Sequence, residues 1–252
     1  MITIDNITTG YGNKIVLDHF SAQFDDADFC AVMGPNGAGK STLLRTMAGL
    51  QSIQTGSILI DQKNINRFKT KELARQIAFV PQREDLVFEF SVFDTVMMGR
   101  NPYQNRWEWA NQNDIPLVED ILEQTHLQHL KNRLLSQLSG GELRRTMIAR
   151  AIAQQTPIIL LDEPLANLDI VHQFEIMEIL IELNKNHAVT IIIILHDFPF
   201  AIQYTHHTLL MKDGKIQHFG NTSQVLSKEN VHQCFGLSQE FEYFSNGLVV
   251  KK

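Results

Sequence analysis

The segment Gly34-Pro35-Asn36-Gly37-Ala38-Gly39-Lys40-Ser41-Thr42 has the spacing G-x-x-x-x-G-K-[ST]. Its glycines let the backbone wrap closely around phosphates, with N–H groups turned inward. The pattern predicts that Lys40 reaches the β- and γ-phosphates of a nucleotide and that Ser41 ligates Mg²⁺. A second segment, Ile158-Ile159-Leu160-Leu161, ends in Asp162-Glu163-Pro164. Two carboxylates at the end of a buried strand are costly unless they bind a cation or take part in chemistry. Asp162 suits the shell of a Mg²⁺ ion, reached through water. Glu163 suits a general base or positioner for an attacking water.

A third segment, Leu138-Ser139-Gly140-Gly141-Glu142, opens a predicted helix bearing Leu143, Met147, Ile148, Ala151 and Ile152. Ser139 and Glu142 have the spacing of a capping box. That accounts for the Ser and the Glu but not for two adjacent glycines, each costing about 1 kcal/mol in a helix relative to Ala. Bare backbone at a helix N-terminus points to close approach by an anion.

These segments need elements to position them. The alternation of Ile2, Ile4 and Ile7, then Ile15, Val16 and Leu17, predicts short strands around a turn at Thr9-Gly10-Tyr11-Gly12. A strand over Phe29–Met33 runs into the glycine-rich loop, and a helix starts at Lys40 with Leu43, Leu44, Met47 and Ala48 on its apolar face. Further strands are predicted at Ile58–Ile60 and Ile77–Val80. From about Val92 to Ala153 the apolar spacing is helical. After Pro157 strand and helix alternate again, with strands at Ile158–Leu161 and Val189–Leu195 and a helix over Phe174–Leu183. Thr208–Lys212 and Lys215–Phe219 form a hairpin about Asp213-Gly214. The tail carries a helix near Ser227–Phe235 and a strand near Leu248–Val250. This is an α/β core split by a helical insert.

Composition narrows the class. The 252 residues bury a sizeable core, and 44% hydrophobic with 20% charged residues is an ordinary globular balance. A formal net charge of −6 is a poor match to non-specific nucleic-acid binding. No apolar run approaches the ~18–20 residues of a spanning helix, and the first residues lack a secretory signal. Cys30 and Cys234 sit among apolar neighbours and read as reduced core thiols. A soluble, cytosolic chain is expected, excluding a pore-forming chain but not a partner of one.

With three ordered motifs, the sequence resembles the ATP-binding cassette (ABC) family over nearly its whole length. Gly34–Thr42 looks like the family's Walker A, Leu138–Glu142 like its signature motif, and Ile158–Glu163 like Walker B with the catalytic glutamate. Gln82 sits at the place of the Q-loop glutamine. Leu165-Ala166-Asn167-Leu168-Asp169 is similar to the D-loop, His196 to the switch histidine and Tyr11 to the adenine-stacking aromatic. Read singly, His196 is a satisfied interior histidine, Gln82 a loop residue and Tyr11 an ordinary aromatic. The resemblance implies a P-loop nucleotide-binding core, an antiparallel β subdomain and an inserted α-helical subdomain in one 1–252 domain. The core would take 1–82 and 155–225, the helical subdomain about 83–154, and a C-terminal extension about 226–252. It also implies a head-to-tail homodimer, with ATP and Mg²⁺ held between Walker A of one copy and Ser139, Gly140, Gly141, Glu142 and Asp169 of the other. Gln82 would touch Mg²⁺ and the attacking water, and His196 the γ-phosphate. One departure stands at Glu142, where the family's commonest signature ends in Gln. Glu is favourable at a helix start but adds negative charge near the partner's nucleotide.

The family's helical insert docks a membrane subunit. Here Phe88-Glu89-Phe90-Ser91-Val92, then Val96-Met97-Met98-Gly99-Arg100-Asn101-Pro102-Tyr103, and the tail Gly220–Gly236, resemble ATPases of importers for iron-siderophore, haem and corrinoid chelates. The implied partners are two integral-membrane permease subunits at the cytoplasmic face of the cell membrane and, indirectly, a substrate-binding protein. Met97, Met98, Trp107 and Trp109 read singly as packing residues, and Arg100 equally as a solvated charge. His126, His129, His206 and His207 read as surface residues, because no cysteine or carboxylate pattern completes a metal-ligand set. Two alternatives stay open: an ABC transporter ATPase for another solute, and a soluble ABC ATPase acting on nucleic acid. Against the second, the chain has one compact cassette, no basic stripe and no coiled-coil or zinc insertion.

Overall fold

The strands β3 (Phe29–Met33), β7 (Ile158–Leu161) and β8 (Thr190–Ile194) are buried at every position. Continuous burial of this kind marks the interior of a parallel sheet covered on both faces. The computed structural model describes residues 1–82, 89–104 and 113–237, together with the backbone of two strands at 241–244 and 247–250. Phe88, Trp107 and Trp109 lie outside the described residues.

In chain order the other elements are β1 (Ile2–Tyr11), β2 (Lys14–Phe24), α1 (Lys40–Met47), β4 (Ile53–Ile60), β5 (Lys63–Asn64), α2 (Thr70–Leu73) and β6 (Ile77–Val80). Then come α3 (Val92–Met97), α4 (Asp114–Gln124), α5 (Gly140–Ala153), α6 (Ile170–His187), α7 (Phe198–Tyr204), β9 (His207–Lys212) and β10 (Lys215–Asn221). The chain closes with α8 (Thr222–Val225), α9 (Lys228–Phe235) and the hairpin β11 (Phe241–Phe244) with β12 (Gly247–Val250).

The main sheet has the order β10-β9-β3-β8-β7-β6, parallel except for the edge strand β10. A smaller antiparallel sheet has the order β2-β1-β4-β5. Successive residues of a strand face opposite sides. Phe29, Ala31 and Met33, with Ile159, Leu161, Ile191 and Ile193, join one core with the apolar residues of α3, α4, α5 and α6. Cys30 and Val32, with Ile158, Leu160, Ile192 and Ile194, join a second core under α1 and the small sheet. Both cysteines are free and buried.

The structure moves two expectations. β1 runs through Thr9, Gly10 and Tyr11, which pair with Leu17, Ile15 and Lys14, so the turn falls at Gly12-Asn13. Gly10 is a site of close strand approach, since a Cβ there would lie 2.0 Å from the Lys14 carbonyl oxygen. Arg100 is not solvated. It is buried, with Nε donating to Asp114 Oδ1 at 2.9 Å and Nη1 to the Ala153 carbonyl at 2.8 Å and Gln155 Oε1 at 2.9 Å. Its guanidinium stands 4.2 Å from the centre of the Tyr103 ring.

Candidate functional site

Four loops leave the carboxyl ends of parallel strands β3, β8, β7 and β6, which are neighbours in the sheet. They carry Gly34–Thr42, His196, Asp162-Glu163 and Gln82 respectively. Ligands of open α/β sheets bind in the crevice outside such strand ends.

The loop after β3 turns back on itself at Gly34, whose φ is +145° and where a Cβ would stand 2.0 Å from the Met211 carbonyl oxygen. Only glycine fits there. Lys40, buried in the first turn of α1, folds over the loop and donates to the Gly34 and Pro35 carbonyls at 2.8 and 3.0 Å. Burial lowers its ammonium below the usual lysine range, against the raising pull of Glu163 and Asp162. A phosphate would replace those two carbonyls with full negative charge.

Ser41 Oγ donates to Asp162 Oδ1 at 2.9 Å. Asp162 is 5% exposed. Burial raises its carboxyl above the usual aspartate range, with the Ser41 hydrogen bond opposing. A buried, partly compensated carboxylate beside a hydroxyl is a hard oxygen pair of the kind that takes Mg²⁺ together with phosphate and water oxygens. The residues fit the ion. Among the described residues, no group of three or more His, Cys, Asp or Glu could hold a metal on its own.

Glu163 is held from two sides. Gln82 Nε2 donates to Oε2 at 2.7 Å, and His196 Nε2 lies 2.8 Å from Oε1. Its own φ is +49°, an uncommon left-handed conformation that turns the chain sharply after β7. His196 has 45% of its side chain exposed, so it is no interior histidine.

Sequence reasoning missed Arg144. From α5 its guanidinium donates to the carbonyls of Pro81 at 2.6 Å, Asp162 at 2.9 Å and Pro164 at 3.1 Å. It ties the residue before Gln82 to the turn carrying Glu163. An arginine inside Leu143-Arg144-Arg145 gives no local signal, because its partners lie in the loops after β6 and β7.

Ser139, Glu142 and Asp169 spend their hydrogen bonds on helix starts. Ser139 Oγ accepts from the Glu142 N–H at 3.3 Å, and Glu142 Oε2 accepts from the Ser139 N–H at 2.7 Å, the capping box read from the sequence. That bond holds the Glu142 carboxyl below the usual glutamate range. Asp169 caps α6 through the His172 N–H at 3.0 Å. The two glycines divide. Gly140 opens onto free space, whereas a Cβ on Gly141 would strike the His172 ring. Tyr11 is half exposed at the end of β1. His206 and His207 are partly exposed, but both rings face the buried Asp28, at 3.5 and 2.9 Å from Nδ1.

A profile of the family described as ABC transporter matches residues 17–166, more than half of the chain. The chain belongs to the ABC transporter family. It is 36% identical to the probable siderophore transport system ATP-binding protein of Bacillus subtilis (strain 168), over 94% of this chain and 86% of that protein. A structure described as an inward-facing metal-chelate type ABC transporter superposes with a TM-score of 0.82 at 29% identity, covering 98% of this chain and 94% of that one. A dimeric bacterial ABC transporter cassette superposes with a TM-score of 0.78 at 29% identity, covering 88% and 99%. This ABC cassette therefore binds ATP and hydrolyses it to ADP and phosphate. Among its described residues, no helix is long and apolar enough to cross a membrane.

Proposed function

We propose that this cassette is the ATP-hydrolysing subunit of an importer for a metal chelate of the iron-siderophore, haem or corrinoid type. It would act at the cytoplasmic face of the cell membrane as a homodimer beneath two permease subunits, fed by a substrate-binding protein. The observation that carries the ATPase reading is the meeting of Lys40, Ser41, Asp162, Glu163, Gln82 and His196 at adjacent strand ends. The B. subtilis relative is named for siderophore transport, and that supports the choice of cargo. The domain plan is one ABC ATPase domain over 1–252, with its core at 1–82 and 155–225, a helical subdomain at about 83–154 and a C-terminal extension from about 226.

In the proposed mechanism, the N–H groups of Gly34–Thr42 and the Lys40 ammonium bind the phosphates. Ser41, Asp162 and Gln82 would hold Mg²⁺, which when bound neutralises phosphate charge and polarises the bond to be broken. Glu163 takes a proton from the attacking water, oriented by Gln82, while His196 reaches the γ-phosphate. Tyr11 would stack on the adenine. Ser139, Gly140, Gly141, Glu142 and Asp169 face the nucleotide of the second copy. Closure of the dimer about two ATPs, and its reopening after hydrolysis, would move the permease helices.

The test is an affinity pull-down of tagged cassette from mildly solubilised native membranes, read by mass spectrometry. A polytopic subunit of chelate importers at one-to-one ratio is expected. A permease for another solute would overturn the cargo. Recovery of nucleoprotein alone would overturn the transporter reading.

A further inference from the structure

The bare face of Gly141 is occupied. A Cβ there would lie 2.4 Å from His172 Cδ2 and 2.7 Å from Cγ, so the imidazole rests directly on the backbone of the second α5 residue. His172 belongs to the first turn of α6, whose N-cap is Asp169. The His172 N–H donates to Asp169 Oδ1 at 3.0 Å, and its Nε2 stands 3.7 Å from Asp169 Oδ2. Its Nδ1 lies 2.8 Å from Glu175 Oε2, and the same carboxylate oxygen accepts from Arg145 Nη1 on α5. The imidazole thus touches the start of α5 by packing, reaches Arg145 through Glu175 and stands 3.7 Å from the Asp169 carboxylate, whose capping hydrogen bond comes from the His172 backbone.

We propose that His172 is a positioning residue that joins the Ser139–Glu142 helix start and the Asp169 cap into one rigid surface for the second copy's nucleotide. The inference rests on the proposed reading that these two segments act in trans. Ser139 and Gly140 are exposed, and Asp169 keeps 63% of its side chain exposed, so both segments are open to a partner. The imidazole lies behind them, 28% exposed. It touches no nucleotide in this arrangement and acts by fixing the relative placement of groups that do. Misplacing such groups weakens the joint site while leaving the Lys40 site of the same chain untouched.

The test uses the full chain in the Glu163→Gln background, where ATP is bound and not consumed. Sedimentation velocity follows dimer formation against MgATP concentration. Filter binding at low protein concentration follows ATP binding by the monomer, and urea unfolding follows stability. Adding His172→Ala should raise the ATP concentration for half-maximal dimer by about five-fold or more, the lower range of coupling between sites. Monomer binding and the urea midpoint should match those of Glu163→Gln alone. His172→Gln, which keeps a donor for Glu175, should recover part of the loss. An unchanged dimer midpoint overturns the proposal. So does a parallel loss of monomer binding and stability, which would mark a merely structural role. If Glu163→Gln alone stays monomeric with MgATP, the trans reading itself fails, and the inference fails with it.

Discussion

Arg100→Ala should be among the costliest single truncations in this chain. Arg100 and Asp114 are 7% and 8% exposed, and their ion pair is 2.9 Å long. Truncation leaves the Asp114 carboxylate, the Ala153 carbonyl and the Gln155 amide oxygen without the guanidinium they now share. Breaking a buried pair from one side costs about 3–5 kcal/mol, where an exposed pair costs about 0–1 kcal/mol. With a urea m-value of about 3 kcal/mol per M, the midpoint should fall by about 1–1.7 M. The assay is equilibrium urea unfolding of nucleotide-free protein, followed by far-ultraviolet circular dichroism. Arg100→Met with Asp114→Leu removes both charges and should recover at least half of the loss, because the orphaned charge carries most of the penalty. A single-variant shift below about 0.3 M, the size expected of an exposed pair, would refute the reasoning. A double variant no better than Arg100→Ala would do the same.

Glu163→Gln should keep ATP binding and lower turnover by about 10²-fold or more, the range for a general base; near-normal phosphate release would remove Glu163 from that role. Ser41→Ala should raise the Mg²⁺ concentration for half-maximal turnover by about 10-fold, read by titration at fixed ATP; an unchanged titration curve would remove Ser41 from the site. The Glu142 carboxyl is held low by the Ser139 N–H, so its contribution is full above the ordinary value of 4.5 and is lost as pH falls through the lowered folded value. Glu142→Gln cannot titrate and should flatten the acid limb of urea midpoint against pH. The same variant should alter apparent ATP affinity only modestly, and an unchanged ATP dependence in the assembled transporter would count against any charge role for Glu142.

Much of the frame was legible where a motif and a hydrophobic period coincide. β3, β6, β7 and the start of α1 stand at the residues the sequence predicts. Gly10 misled because a glycine serves a turn and a close strand approach equally well. Arg100 misled because its partners at Ala153 and Gln155 lie 53 and 55 residues away. The meeting of Gln82, Glu163 and His196 depends on β6, β7 and β8 lying side by side, which strand order alone decides. For Gly141, the sequence pointed to an anion, and the structure sets the His172 imidazole against its bare face.

The unbroken apolar strands carry a last consequence. In a strand that alternates polar and apolar residues, a slip by one position exposes grease and buries charge, so the pattern polices its own alignment. Ile158–Leu161 and Ile191–Ile194 have no such safeguard, since sliding either by one residue exchanges one branched aliphatic for another. What keeps them in frame is punctuation at their ends. Thr156 donates to the Ile158 carbonyl, Thr190 accepts from the Ala27 N–H, and the Asp162 N–H donates to the Val80 carbonyl. Asp162, with Ser41 on its carboxylate, therefore also serves as a full stop for β7. Replacing it by an aliphatic residue would keep the backbone bond to Val80 but lose the Ser41 contact and extend the featureless run, leaving the strand that delivers Glu163 with one anchor fewer.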